Sequence, residues 1–380
     1  MSGASSGRRA DRRSSRRRAG ALAVVLIAVA AASALVSLTS ILRPGGGARV
    51  CADAFGSFAA GHWPPACWRP YGADSPFNTP IPPNPRLARE SSAIVGYAGA
   101  NGWSFSRGSS HDFFLDADGS RPVYWARAGD PLVKVLCRRG GSCPRGMRLR
   151  IPAGATPQKA SDGHMTVIDQ AASREFDFWR ASPPANGVMS VAAASSIPIG
   201  VGSGSGLGGK AEAAQLGLLG GLVRARELTA GRIEHALAAT APCVQYRDVW
   251  PAPPRSFGDA VCGARGPGPH LGSLIQLNMS DAEIAASGAP AWQRAIMVAM
   301  ADYGIYVVDT NGPGNLQMSI IKEDDLSFTS FGYRPALHEF VDRAAHQAEG
   351  EAAGESGLFG MPIPLSRLRV IAPCVPQRRC

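Results

Sequence analysis

Between residues 90 and 200 the chain is written almost wholly in short β-forming phrases. RPVYWARAG, PLVKVLC, MRLRIPAG, HMTVIDQ, REFDFWRA and GVMSVAAAS are period-two or β-branched runs, broken by Asp118-Gly119, Gly140-Gly141, Gly154 and Pro184. Runs of that length at that spacing belong to a sandwich or a barrel. In MRLRIP the alternation turns Met147, Leu149 and Ile151 inward and Arg148 and Arg150 outward. Residues 200–231 are a Gly-rich loop with a short helix, and RIEHALAAT reads as a strand or another short helix. Stronger helix signals come late. Ser280 is an N-cap with Glu283 completing a capping box, and Trp292, Ile296, Ala299, Met300 and Tyr303 share one face of a second helix that Gly304 ends. IYVVDT follows as a buried strand, and residues 337–348 are amphipathic. The expected fold class is mainly β: a β-sandwich or jelly-roll-like domain with a few peripheral helices, preceded by an N-terminal transmembrane or signal-anchor helix.

That N-terminal helix is read from charge and length. Residues 1–18 carry seven arginines and one acid, so +6 of the net +10 lies there and +4 is left for the remainder. A pI of this origin is not the basic face that a nucleic-acid-binding domain needs, so no nucleic-acid partner is expected. Ala19 to Leu42 follows without a charge, and 24 residues of helix span about 36 Å against a hydrocarbon core of about 30 Å. The flanking arginines place residues 1–18 in the cytoplasm and the rest outside. Ala32-Ser33-Ala34 leaves signal cleavage open as the alternative, giving a secreted protein. The even count of eight cysteines, all beyond residue 50, agrees with export and disulfide formation; 51–67, 137–143, 243–262 and 374–380 is the simplest pairing. The organisation is then 1–18 cytoplasmic, 19–42 membrane helix, 43–70 linker and 71–380 extracellular β-rich domain. The eight prolines between Trp63 and Pro85 exclude helix and central strand there, so that stretch wraps the domain as extended chain.

The densest polar stretch is SDGHMTVIDQAASREFDFWRA, residues 161–181, which reads as a β-hairpin. His164, Thr166 and Ile168 face one way on its first strand; Glu175 and Asp177 share a face on its second, opposite Phe176 and Phe178. Two carboxylates at i and i+2 are close enough to perturb each other's ionisation, and glycosidic cleavage commonly uses such a pair. The competing reading is a solvent-facing acidic edge paired to arginine. His164, next to Gly163 and between Asp162 and Asp169, and His235, in GRIEHALA, are candidate general bases; a core histidine is the alternative for each. Asp162, Trp179, Arg232 and Asp309 complete the list as substrate-binding candidates. No metal site or cofactor is expected: Gly204 to Lys210 matches the front of a P-loop but Ala211 replaces the Ser/Thr, and His338-Glu339 lacks the second His of H-E-x-x-H.

Glu175-Phe-Asp177-Phe-Trp-Arg180 resembles the E-x-D-x-x-E strand of laminarinase-like jelly-roll glycoside hydrolases, with Arg180 in place of the third acid. ADSPFNTPIP, SDGHMTVIDQ, REFDFW, the glycine-rich LGGLVRARELTAGRIEHALA and AMADYGIYVVDTNG together resemble a family of exported bacterial proteins of unestablished activity. The resemblance implies an exported β-sandwich protein that acts on carbohydrate.

Two functions follow as expectations. One is an exported enzyme that cleaves an extracellular or cell-wall polysaccharide, by hydrolysis with Glu175 and Asp177 or by elimination with His164 or His235 as base and Arg232 on a uronate. The other is a non-catalytic, membrane-anchored envelope protein that binds glycan or a partner protein. In both, Trp103, Tyr124, Trp125, Phe178 and Trp179 are available to stack on sugar rings. The enzymatic version requires the His164 face and the Glu175/Asp177 face on one concave, aromatic-lined side of the sheet, with His235 completing the site.

Overall fold

The computed structural model describes residues 67–101, 103, 114–115, 121–158, 161–169, 171–199, 204–245, 247–253, 261–262, 266–289, 291–311, 318–320 and 363–380. The chain divides into two compact units, Met1–Cys51 and Ala52–Cys380. The first lies outside the described residues, and with it the apolar stretch 19–42; the Asp118-Gly119 turn and the helix expected at 337–348 also fall outside. Among the described residues no helix is long and apolar enough to cross a membrane.

The second unit is mainly β, with few helices. One six-stranded sheet runs β1 (Phe114–Leu115), β11 (Ser319–Ile320), β8 (Leu237–Ala241), β10 (Ile305–Thr310), β9 (Leu274–Leu277) and β12 (Leu368–Ile371) in spatial order. The other runs β2 (Val123–Ala126), β5 (Met165–Asp169), β6 (Arg174–Trp179), β7 (Val188–Pro198), β3 (Leu132–Ser142) and β4 (Arg148–Arg150). Both are mixed: β1–β11, β8–β10, β2–β5 and β3–β7 pair in parallel, so neither is the purely antiparallel layer of a jelly roll. The helices are α1 (Ser91–Ala100), α2 (Ala225–Ala230), α3 (Asp281–Ala285) and α4 (Ala291–Asp302). α3 begins as its sequence requires, with Ser280 and Glu283 exchanging capping bonds, and α4 buries Trp292, Ile296, Ala299 and Met300 before Gly304 turns the chain at φ +82°.

The β2–β5–β6 half of the second sheet is buried on both faces, while β3 and β4 leave one face to solvent. Tyr124, Met165, Val167, Phe176, Phe178, Met189 and Val191 form a core on one side with Met147, Leu149 and Ile151. On the other side Val123, Trp125, Ile168 and Ile197 join a larger core shared with Leu237, Ile275, Ile305 and Val307 of the first sheet. Trp68, Tyr71 and Phe77 from the proline-rich stretch are fully buried in that same core. Trp68 meets Trp125 edge-on at 5.5 Å, and Phe77 meets Tyr306 at 5.4 Å.

Disulfides close Cys137–Cys143, Cys243–Cys262 and Cys374–Cys380. Cys67 is also disulfide-bonded, while Cys51 lies outside the described residues.

Candidate functional site

β5 and β6 pair antiparallel with Thr166 opposite Asp177 and Ile168 opposite Glu175. Directly opposed residues project to the same side of a sheet, so Thr166, Glu175 and Asp177 share one side, opposite Phe176 and Phe178. That side is not an open cleft. Glu175 and Asp177 are both fully buried, because the glycine-rich segment 204–223 lies across them.

A buried segment without strand or helix must find acceptors for its backbone N–H groups. The two acids supply them: Leu218 N donates to Asp177 Oδ2 at 3.2 Å and Leu219 N to Glu175 Oε1 at 2.9 Å. Side-chain hydroxyls complete the set. Tyr71 donates to Glu175 Oε2 at 2.7 Å and Thr166 to Asp177 Oδ1 at 2.9 Å. Tyr71 holds φ +72°, a left-handed conformation that costs a bulky residue about 1–2 kcal/mol, and does so with its ring wholly enclosed. Gly217 admits that ring: a Cβ there would stand 2.3 Å from Tyr71 Oη and 3.1 Å from Glu175 Oε1.

Burial raises both carboxyls. The hydrogen bonds that Glu175 receives from Asp177, Tyr71 and Leu219 N moderate its rise. Asp177, facing the Glu175 carboxylate, is raised well above the ordinary range. Burial and both carboxylates push the Tyr71 phenol up as well.

His164 is buried beside a second acidic group on the same segment. Its Nε2 lies 3.4 Å from Ala211 O, its Nδ1 has no partner, and burial and Arg121 hold its pKa well below the usual value. Arg121 pairs with Glu212 through Nε and a terminal nitrogen at 3.1 and 2.7 Å. Asp309 shares a hydrogen bond with Glu212 and is pushed up by burial and by that neighbour, while accepting from Ala213 N and Thr310 N.

His235 belongs to a third group. Its Nε2 lies 2.9 Å from Glu227 Oε1 and its Nδ1 2.8 Å from Ala236 O. Burial alone would raise Glu227, but Arg224 and His235 outweigh it and hold the carboxyl low. Glu227 also caps the first turn of α2 by accepting from Arg224 N. Arg232 is exposed and pairs with Glu234. Four of the five aromatics expected to stack on sugars, Trp103, Tyr124, Trp125 and Phe178, are core residues at most 4% exposed.

Two surface features remain. Asp162 and Trp179 lie together: Trp179 Nε1 donates to Asp162 Oδ1 at 3.1 Å, and Arg180 lies over the indole. The larger feature was not foreseen. A groove of about 770 Å³ follows residues 86–90, 245–249, 266–273 and 370–374. It presents Arg86, Arg89 and Arg247 with a single acid, Glu90, over a floor of Ile94, Val249, Val370 and Ile371. His270, donating to the Arg247 carbonyl, is held below its usual pKa by burial. The excess of arginine over lysine, 35 to four, is the one signal for it in the sequence. Among the described residues no group of three His, Cys, Asp or Glu is placed to hold a metal. No family model, curated protein or solved structure matches the chain.

Proposed function

We propose that this chain is an exported envelope protein that binds an acidic glycan without cutting it. It is held at the membrane by residues 19–42, or released if the leader is cleaved, with residues 71–380 outside. The observation that carries the reading is the groove: three guanidinium groups and one carboxylate around a cavity of about 770 Å³, a size suited to several sugar residues. Among the described residues its lining has no Phe, Tyr or Trp, which favours recognition by charge over ring stacking. An exported protein meets acidic polymers in the cell wall, as uronates or as phosphodiester-linked glycans. The burial of Glu175 and Asp177 supports binding over hydrolysis, and the enclosure of His164 and His235 does the same against elimination. The E-x-D strand is read here as part of a sandwich-type carbohydrate scaffold whose acids serve the fold.

The test uses full-length protein in detergent micelles with polygalacturonate, a phosphodiester-linked glycan and neutral dextran. Saturable, salt-sensitive binding to an acidic polymer is expected, with no new reducing ends and no unsaturated-uronate absorbance. Equal affinity for dextran, or release of either product, contradicts the proposal.

A further inference from the structure

We propose that the cavity beside Trp179 and Arg180 binds one oxyanionic group, a carboxylate or a phosphate carried on a sugar-sized ligand. The cavity has a volume of about 450 Å³, and among the described residues its lining contains two cations, Arg138 and Arg180, with Gln158 and Ser161 and no acid. It shares no lining residue with the arginine groove, so the two proposals fail independently.

Arg180 is fixed before any ligand arrives. Its guanidinium carbon lies 4.4 Å from the centroid of the Trp179 ring, which orients the planar fork of donors that suits a carboxylate or phosphate. The indole is tied in turn to Asp162 Oδ1, so that carboxylate is engaged beside the site. Beneath the side chains, Arg180 N donates to Asp162 O at 2.7 Å and Ala181 N to Gly163 O at 3.1 Å. Gly163, at φ +47°, allows this approach: a Cβ there would meet Ala181 O at 3.3 Å.

The backbone of Arg180 is itself left-handed, at φ +50°. Glycine adopts that conformation freely, whereas an arginine is strained in it. Position 180 lies just past the end of β6 and is exposed, so core packing does not demand an arginine. Strain held at a solvent-facing cation that lines a cavity points to a ligand.

The second cation comes from a separate strand. The pairing of β3 with β7 shifts register between Cys137 and Ser142, and the Cys137–Cys143 disulfide closes the bulge that carries Arg138. Arg138 is thus offered from a cross-linked bulge and not from a free loop. Two guanidinium groups lining one open cleft concentrate an anion there.

The experiment is calorimetric titration of the full-length chain with glucuronate, glucose 6-phosphate, inorganic phosphate and glucose. Saturable binding of at least one anion, and none of glucose, is expected. Binding of glucuronate alone identifies a uronate carboxylate, and binding of the phosphates alone a phosphoryl group. Arg180→Gly is expected to weaken binding by about tenfold or more while thermal stability holds or rises, since glycine relieves the backbone. Arg138→Gln, on the exposed bulge, is expected to weaken it similarly and decides the matter if Arg180→Gly fails to fold. Arg148→Gln, at an exposed position outside both cavities, leaves it unchanged. The proposal is overturned if no anion saturates the protein, or if Arg138→Gln and a folded Arg180→Gly both bind as the wild type does.

Discussion

At Glu175 and Asp177 the two carboxyls hydrogen-bond to each other, Glu175 accepting also from Tyr71 and Leu219 N, and Asp177 from Thr166 and Leu218 N. The amide of Asp177→Asn keeps an oxygen toward Thr166 and offers N–H₂ to Glu175, but loses the acceptor of Leu218 N. Glu175→Gln turns an amide N–H₂ into a ring of donors. We expect Asp177→Asn to fold with a loss of about 1 kcal/mol at neutral pH and Glu175→Gln to lose about 1–3 kcal/mol, measured by urea unfolding. The pH dependence separates them further. A carboxyl whose folded pKa is raised contributes stability that is whole below the unfolded value near about 4 and is lost as pH rises through the folded value. Wild-type stability therefore falls from mildly acidic toward alkaline pH through this pair, and Asp177→Asn flattens that fall. Glu227, held low, acts in the opposite sense: its contribution is present above the ordinary carboxylate range and is lost as pH drops.

At the scale of elements, segment 204–223 decides what the polar residues do. It has little regular structure yet is mostly buried, and side chains from both sheets receive its backbone donors: Ser195, Glu175 and Asp177 from the second, Asp309 from the first. One close fit within it is Gly217 against Tyr71. We expect Gly217→Ala to cost about 1–3 kcal/mol, with Tyr71→Phe recovering part of it by removing the oxygen that the new Cβ strikes. In a double-mutant cycle on unfolding free energies, additive losses would contradict this contact.

The same segment explains what the sequence could and could not reveal. The β5–β6 hairpin, the Ser280 cap and the buried face of α4 are written in neighbouring residues, and period and capping signals suffice to read them. Whether an acid on a strand faces solvent or an interior donor depends on partners 41 and 44 residues away, and no local pattern carries that. The groove is harder still, since Arg89 and Arg247 meet only when the segment before α1 lies along β12.

For the whole molecule, two mixed sheets enclose a polar seam that serves the fold, and the proposed function assigns the binding chemistry to arginines at the surface. The groove lies on the outer edge of the first sheet, where Leu87 bridges to Ile371 of β12, so substitutions there leave the core intact. The most direct measurement is one titration series with an acidic glycan on the full-length wild type, Asp177→Asn and the double variant Arg89→Ser/Arg247→Ser, with product release followed in parallel. The account predicts wild-type affinity for Asp177→Asn, binding weakened by about tenfold or more for the double variant, and no product from any of the three. Product formed by the wild type and abolished by Asp177→Asn would contradict it, and would return the buried acids to catalysis.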